Sequence, residues 1–467
     1  MIDSSGPEVP AFIVAGTHSG VGKTTVTLTL LHAMARRGVS VQPFKLGPDF
    51  IDTAYHTEMA GRPSINLDLW MMGAENIRRS FDHFRAAADL AVVESMGALF
   101  DGENGTDRGS AAFLAKLLDV PVVLVIDIWG MTRSATALLE GFLAFDPGVK
   151  FAGFVMNRAG SERHAQMVLD ALPDPLRAAS LGYIQRHDLL EIPERHLGLV
   201  TVDENKAGLA ARLPALERAG STLEVDRLIP ARRRPYAPAA SPALIARRDR
   251  HKATIAIARD PAFCFYYQEN LALLEQAGAL LRPFSPVSDG TVPADTDGVY
   301  IGGGYPESFA VELAQNHSMR MDLRRLARLS IPIYAECGGF MYLGRTLTTA
   351  GQDRAPMAGL FPLDIAMDPA HLAIRYVAVK TLTASPLGPA GTEARGQEFH
   401  QSRIVGPSNG QPMYEITSST GEKHREGQIS GNTVGSYIHL HFASNPEIPR
   451  TFVDSSRAWR ERRARPG

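Results

Sequence analysis

The chain has 467 residues, two to three times the ~100–200 of a usual domain, so two domains are the expectation. Its 48 basic and 50 acidic residues leave a formal net charge of −2, which excludes a global positive field for nucleic acid or an anionic membrane. With 45% hydrophobic and 21% charged residues the composition is that of a folded globular protein, so any anion must be bound locally.

Met1 to Pro10 is acidic and polar before the first apolar run, unlike a signal peptide, so secretion is not expected. The first elements then alternate: A-F-I-V-A-G, an amphipathic stretch Val26–Arg37, and V-S-V-Q-P-F. Later come A-V-V-E, P-V-V-L-V-I-D and F-A-G-F-V-M-N. This rhythm predicts a doubly wound α/β domain up to about Leu228, its apolar strands covered by helices on both faces. The most apolar stretch, Val120–Met131, carries Asp127 and is shorter than the ~20 residues that span a bilayer.

Directly after the first strand stands G-T-H-S-G-V-G-K-T-T, residues 16–25, ahead of a helix expected to open at Val26. This is the placement of a phosphate-binding loop. Glycines let successive backbone N–H groups turn inward on phosphates, a lysine reaches the β/γ-phosphates, and a hydroxyl reaches Mg²⁺. Gly20, Gly22, Lys23 and Thr24 fill those roles, with Thr25 beside them. The strict pattern has glycine at 17, whereas here Thr17 follows Gly16. Phosphate-bridging magnesium takes one or two carboxylates, and Glu94 closes the strand L-A-V-V-E at the expected edge. Asp49 and Asp52 sit in the turn K-L-G-P-D-F-I-D, and Asp101 in L-F-D-G; turn capping is the competing reading of these three.

Residues 231–250 shift to Ala, Pro and Arg with no period, which predicts a linker. The expected division is therefore 1–228, a linker 229–251, and 252–467. A second α/β domain starts at A-T-I-A-I-A (253–258), with strands in D-G-V-Y-I-G and I-P-I-Y-A-E and helices over 267–278 and 308–329. Two cysteines, Cys264 and Cys337, suit neither a disulfide scaffold nor a zinc motif, and point to a reducing cytoplasm.

In I-P-I-Y-A-E-C-G-G-F-M-Y-L-G a strand meets Cys337 among small residues, ahead of a helix expected near Phe340. This is elbow geometry. The sulfur would point outward at a helix N-terminus, its thiol pKa lowered by the dipole, with the N–H of Gly338 available to an oxyanion. Cys264, in F-C-F-Y-Y, reads instead as a buried free thiol. A thiolate needs a general base, and His439 in G-S-Y-I-H-L-H-F is the candidate. The pattern resembles class I glutamine amidotransferases, in which a Glu two places after the His orients it. His441 stands at that place here, so the acidic orienter is missing.

Taken together these motifs resemble the cobyrinate and hydrogenobyrinate a,c-diamide synthases, whose N-terminal half is related to dethiobiotin synthetase. N-R-A-G-S-E-R-H (157–164), I-P-E-R-H-L-G-L-V (192–200), F-C-F-Y-Y-Q-E-N-L (263–271) and I-G-G-G-Y-P-E (301–307) extend the likeness over nearly the whole chain. The resemblance implies two doubly wound α/β domains, an ATP-binding amidoligase and a glutamine amidotransferase. It implies that Lys23 and Thr24 bind ATP and metal, with Thr24, Asp49 and Glu94 as metal ligands. It further implies that Asp49, Asp52, Glu94 and Asp101 form the acidic set at the amidation site, and that Gly303 and Gly304 complete the oxyanion hole. The partners implied are a tetrapyrrole, ATP, Mg²⁺ and L-glutamine, with a homodimer admitted and neither nucleic acid nor membrane.

Such a chain solves one chemical problem. A carboxylate is a poor electrophile, so ATP converts it to an acyl phosphate, and ammonia freed from glutamine through a Cys337 thioester displaces phosphate. Cobyric acid synthase, a relative with the same two modules, has an Ile-Cys elbow and a Gln-Asn pair in place of G-P-D-F-I-D, so the diamide synthases are favoured. Ser95, Ala373, Ile374 and Gln401 depart from their usual pattern, which keeps sirohaem and other sirohydrochlorin-derived macrocycles as alternative substrates. A partition-type P-loop switch with a vestigial amidotransferase half is the alternative of another class.

Overall fold

Strands buried on both faces need helices on both faces, and the first apolar runs meet that condition. The computed structural model describes residues 10–190, 202, 205–229, 252–406 and 410–464. The expected linker over 231–250 and the motif at 192–200 lie outside those residues. The chain divides into two units: Met1–Leu69 with Ala74–Pro242, and Trp70–Gly73 with Ala243–Gly467.

In the first unit the strands are β1 (Ala11–Gly16), β2 (Val41–Leu46), β3 (Ile65–Leu67), β4 (Leu90–Ala98), β5 (Val122–Asp127), β6 (Phe151–Ala159) and β7 (Ser180–Gln185). They pair in parallel in the order β3-β2-β4-β1-β5-β6-β7. The chain leaves β4 on one side of β1 and re-enters as β5 on the other, so a crevice opens at the carboxyl end of β1, where open α/β sheets bind ligands. Helix α1 (Lys23–Arg36) follows β1, and α2 (Ile51–Ala60) follows β2. Helix α1 begins three residues before the expected Val26: Gly22 ends the loop in a left-handed turn at φ 91°, which puts Lys23 and Thr24 in the first helical turn.

The second unit holds β8 (Ala253–Ala258), β9 (Ala279–Phe284), β10 (Gly298–Ile301), β11 (Ile333–Glu336), β12 (Thr346–Thr348), β13 (Arg354–Pro356) and β14 (Asp364–Met367). It continues with β15 (Ala373–Thr381), β16 (Glu393–His400), β17 (Ser402–Val405), β18 (Tyr414–Ser418), β19 (Lys423–Glu426), β20 (Gln428–Ser430), β21 (Thr433–Ser436) and β22 (Ile438–His441). A six-stranded sheet, β20-β21-β11-β10-β8-β9, is parallel except at its β20 edge. Ile255, Val299, Ile333, Ala335 and Phe340 are fully buried about it.

Beyond the expected α/β sheet, the unit carries a five-stranded antiparallel sheet, β19-β18-β15-β16-β22, and a four-stranded mixed sheet, β13-β12-β14-β17, in which β12 and β14 are parallel. Between Ser436 and Ile438 the chain passes from the parallel sheet into the antiparallel one, and pairing with Gln397 of β16 sets the position of His439. Among the described residues no helix is long and apolar enough to cross a membrane.

Candidate active sites

The loop after β1 is shaped by what its glycines leave out. A Cβ on Gly16 would lie 2.3 Å from Val21 Cγ1 and 3.2 Å from Lys23 Cγ, so the glycine one place before the strict position is the one that lets the loop fold back. Gly20 and Gly22 have φ of 81° and 91°. Asn157 Nδ2 donates to the carbonyl of Val21 at 2.8 Å and fills the space where a Gly22 side chain would be. Gly22, Thr25, Asn157, Arg158, Gln185 and Leu190 line a cavity beside this loop.

Thr24 Oγ1 donates to Glu94 Oε1 at 2.8 Å. Glu94 does not close its strand as expected; β4 runs on to Ala98, and Glu94 sits inside it, fully buried and in register with Lys45 of β2. Lys45 Nζ contacts Glu94 Oε1 at 2.9 Å and Asp52 Oδ2 at 2.5 Å, and His56 Nε2 lies 2.7 Å from Glu94 Oε2. Burial alone would lower the Lys45 pKa, but the carboxylates of Asp52, Glu94 and Asp49 outweigh it and hold the ammonium charged. Burial pushes Asp52 up to about 6 against the pull of Lys45. For Glu94 burial is outweighed by Lys45 and His56, which hold it below the usual carboxylate range. Lys23 is lowered, first by burial and then by the charge of Lys45.

Asp49 directs Oδ1 at the backbone N–H groups of Ile51 (2.6 Å) and Asp52 (3.1 Å), the capping role that competed with catalysis in the sequence. Asp101 is exposed, and among the described residues no ion pair joins it to the Lys45 cluster. Lys45 and His56 were not singled out from the sequence. The signal for His56 was its i,i+4 spacing from Asp52, which puts both on one face of α2. The adjacent hydroxyl and carboxylate oxygens of Thr24 and Glu94 suit a hard cation. Among the described residues no group of three or more His, Cys, Asp or Glu is arranged to hold a metal ion, so an ion here would need ligands besides protein side chains.

In the second unit Cys337 follows β11 at φ 45°, ψ −104°, a left-handed strain that a nucleophile elbow imposes on a non-glycine residue. The helix Gly338–Leu343 starts immediately, ahead of the expected Phe340. The thiol does not stand outward: Cys337 is 5% exposed, with Sγ 3.5 Å from the carbonyl oxygen of Phe399. Burial, then the charge of Glu307, raise its pKa, and the N–H of Gly338 opposes them without winning. The expected lowering by the helix dipole is thus overridden, since the turn is buried and the helix has only six residues.

Gly302 accepts from the N–H of Gly339 at 3.0 Å, which locks the glycine loop after β10 onto the elbow. Gly303 is not free to serve an oxyanion as expected, because its N–H donates to Phe265 at 3.2 Å. Its importance is spatial: a Cβ there would lie 2.3 Å from Cε1 of His439. The N of Gly304 would be 2.9 Å from a Cβ on Gly338, so those two residues meet at the elbow. Burial, with His400 adding to it, pulls His439 down to about 3, and the imidazole rests neutral, as a base requires.

The Oε2 of Glu336 lies 4.0 Å from Nδ1 of His439. Tyr300 donates its hydroxyl to Glu336 Oε2 at 2.9 Å, Tyr334 donates to Oε1, and the N–H of Leu440 donates to Oε1 at 3.0 Å. His441 is buried elsewhere, 3.9 Å from Glu269 and tilted against the Tyr267 ring. Cys264 is half-buried, more open than expected. Of the departures from pattern, Ala373 and Ile374 pair with His400 and Phe399 across β15 and β16, beside Gln401. Ser95 is fully buried in β4 and offers nothing to a ring-binding surface.

Residues 12–200 match the CobQ/CobB/MinD/ParA nucleotide binding domain, and residues 254–447 the CobB/CobQ-like glutamine amidotransferase domain. The cobyrinate a,c-diamide synthase of Syntrophotalea carbinolica is 40% identical over 453 residues, 96% of this chain and 99% of that protein. Those of Caldanaerobacter subterraneus and Thermoplasma volcanium are 38% and 39% identical, over 95% and 96% of this chain and 97% of each relative.

Proposed function

Because the chain belongs to the cobyrinate a,c-diamide synthase family, we propose that it amidates the a- and c-acetates of cobyrinate in cobalamin biosynthesis, using ATP to activate each carboxylate and glutamine as the nitrogen donor. The observation that carries this reading is the presence, on one chain, of a buried acid–lysine cluster hydrogen-bonded to the phosphate loop, and of a buried cysteine elbow and a neutral histidine that both lie against the glycine loop after β10. The first suits phosphoryl transfer and the second suits amide hydrolysis. Neither has use for the other unless ammonia is the common currency.

At the first centre the loop N–H groups and Lys23 bind the nucleotide phosphates, and Thr24 with Glu94 would hold Mg²⁺, which supplies charge neutralisation at the transferring phosphoryl group. Lys45, with His56, keeps Glu94 ionised where burial alone would neutralise it, and limits the rise that burial forces on Asp52. The carboxylate of the substrate takes the γ-phosphoryl group, and ammonia then displaces phosphate from the acyl carbon. At the second centre His439 accepts the Cys337 proton as sulfur attacks the glutamine amide, and returns it to the departing ammonia. The N–H groups of Gly304 and Gly338 are the donors for the oxyanion. Water then hydrolyses the thioester to glutamate.

The test is Cys337→Ala, assayed with cobyrinate, ATP and Mg²⁺ and either glutamine or ammonium, the products read by mass spectrometry. Diamide formation is expected to vanish with glutamine and persist with ammonium. Equal loss with both donors, or amidation of propionates, would overturn the reading, and a faster reaction with sirohaem would replace the substrate.

A further inference from the structure

The residue two places after the histidine base, where an acid would orient it, is His441, and it faces Glu269 instead. The structure assigns the missing role to Glu336, the residue immediately before the nucleophile: its carboxylate is the acidic positioning residue for His439. This rests on the reading of Cys337 and His439 as the glutamine-hydrolysing pair.

Three donors from three strands fix the carboxylate: Tyr300 on β10, Tyr334 on β11 and the backbone N–H of Leu440 on β22. Leu440 is the chain neighbour of His439, so one carboxylate ties down the strand that carries the base and also faces its ring. The edge it faces is Nδ1, at 4.0 Å, a separation that a direct hydrogen bond can close when substrate compresses the site. A proton held on Nδ1 leaves Nε2 to accept from the thiol. When it does, a negative charge stands beside the new imidazolium in a dry interior, where it counts for most.

Burial pushes Glu336 up to about 7 against its tyrosine and amide donors, so its charge forms within the working range. The groups that face it are Tyr300, Tyr334 and His439, with Tyr266, Tyr414 and Cys337 at longer range, and His400 acts on His439 itself. None of the tyrosines ionises in that range, since burial raises all four.

The experiment measures glutamine hydrolysis by the full chain from pH 5.5 to 9 for the unaltered protein, Glu336→Gln, Glu336→Asp and Tyr300→Phe. The unaltered protein is expected to show kcat rising through neutral pH. Glu336→Gln is expected to lose about 100-fold in kcat with KM for glutamine within about threefold, and to lose the acid limb. Glu336→Asp is expected to recover at least a tenth of kcat with the limb present. Tyr300→Phe, which removes one donor to the carboxylate and keeps the ring, is expected to move the limb to higher pH, and keeps the test decisive if Glu336→Gln fails to fold. An unchanged kcat and limb in Glu336→Gln, or an unmoved limb in Tyr300→Phe, overturns the assignment. No hydrolysis by the unaltered protein brings down the glutaminase reading itself.

Discussion

Single atoms decide how the cysteine centre works. A methyl group on Gly303 would overlap Cε1 of His439, while the residue's own N–H is engaged by Phe265, so Gly303→Ala displaces the base without removing an oxyanion donor. Glutamine hydrolysis is expected to fall at least about 100-fold in this variant, with ammonium-dependent amidation unchanged; assaying both donors checks it. Glu426 makes a different point. It is half-buried with its carboxyl end turned inward, accepts from the N–H of Tyr437 at 2.9 Å, and is pushed by desolvation of that end up to about 8. A carboxyl whose pKa rises on folding adds stability while protonated, in full below about 4.5, and loses it as pH rises through 8. Glu336 acts in the same direction through about 7. The second unit should therefore unfold in urea more readily at pH 9 than at pH 5.5, by of order 1–3 kcal/mol, and Glu426→Gln should flatten that dependence.

Among elements, the loop between β1 and α1 is the most tightly specified. Gly22 combines a left-handed φ of 91° with contact to Asn157 Nδ2, so Gly22→Ala meets both strain and overlap. It is expected to weaken ATP binding at least about tenfold, measured by calorimetry, while glutamine hydrolysis persists. The alternation of apolar runs and amphipathic stretches made β1, β2, β5, β6 and their helices legible, because both faces of those strands are buried. The antiparallel strands β15, β16 and β18 were not legible, since their half-exposed faces carry Arg375, Arg395 and Glu415 among the apolar residues and show no long run. The site divides the same way. Cys337, His439 and the phosphate loop announce themselves by local pattern, whereas Lys45 acquires meaning only when strand register sets it beside Glu94, and His56 and Glu336 only when the fold brings them to Glu94 and His439.

At the scale of the whole molecule, two units with separate sheets and separate chemistries predict separable responses. MgATP at 100 times its Kd should stabilise the unit carrying β1 to β7 by about 2.7 kcal/mol. Hydrogen exchange should slow there and stay as it was around Trp459, and slowing throughout the chain would mean that the two units unfold as one. The burial of Cys337 reaches beyond the reaction it serves. A thiol that is 5% exposed and held protonated is a poor target for peroxide, because oxidation begins at the thiolate and needs access. The half-buried Cys264 stands outside the elbow and is the more open of the two sulfurs to damage. Exposure to peroxide followed by mass spectrometry is therefore expected to find Cys264 oxidised first and Cys337 spared, so that the proposed nucleophile outlasts its more open neighbour in air.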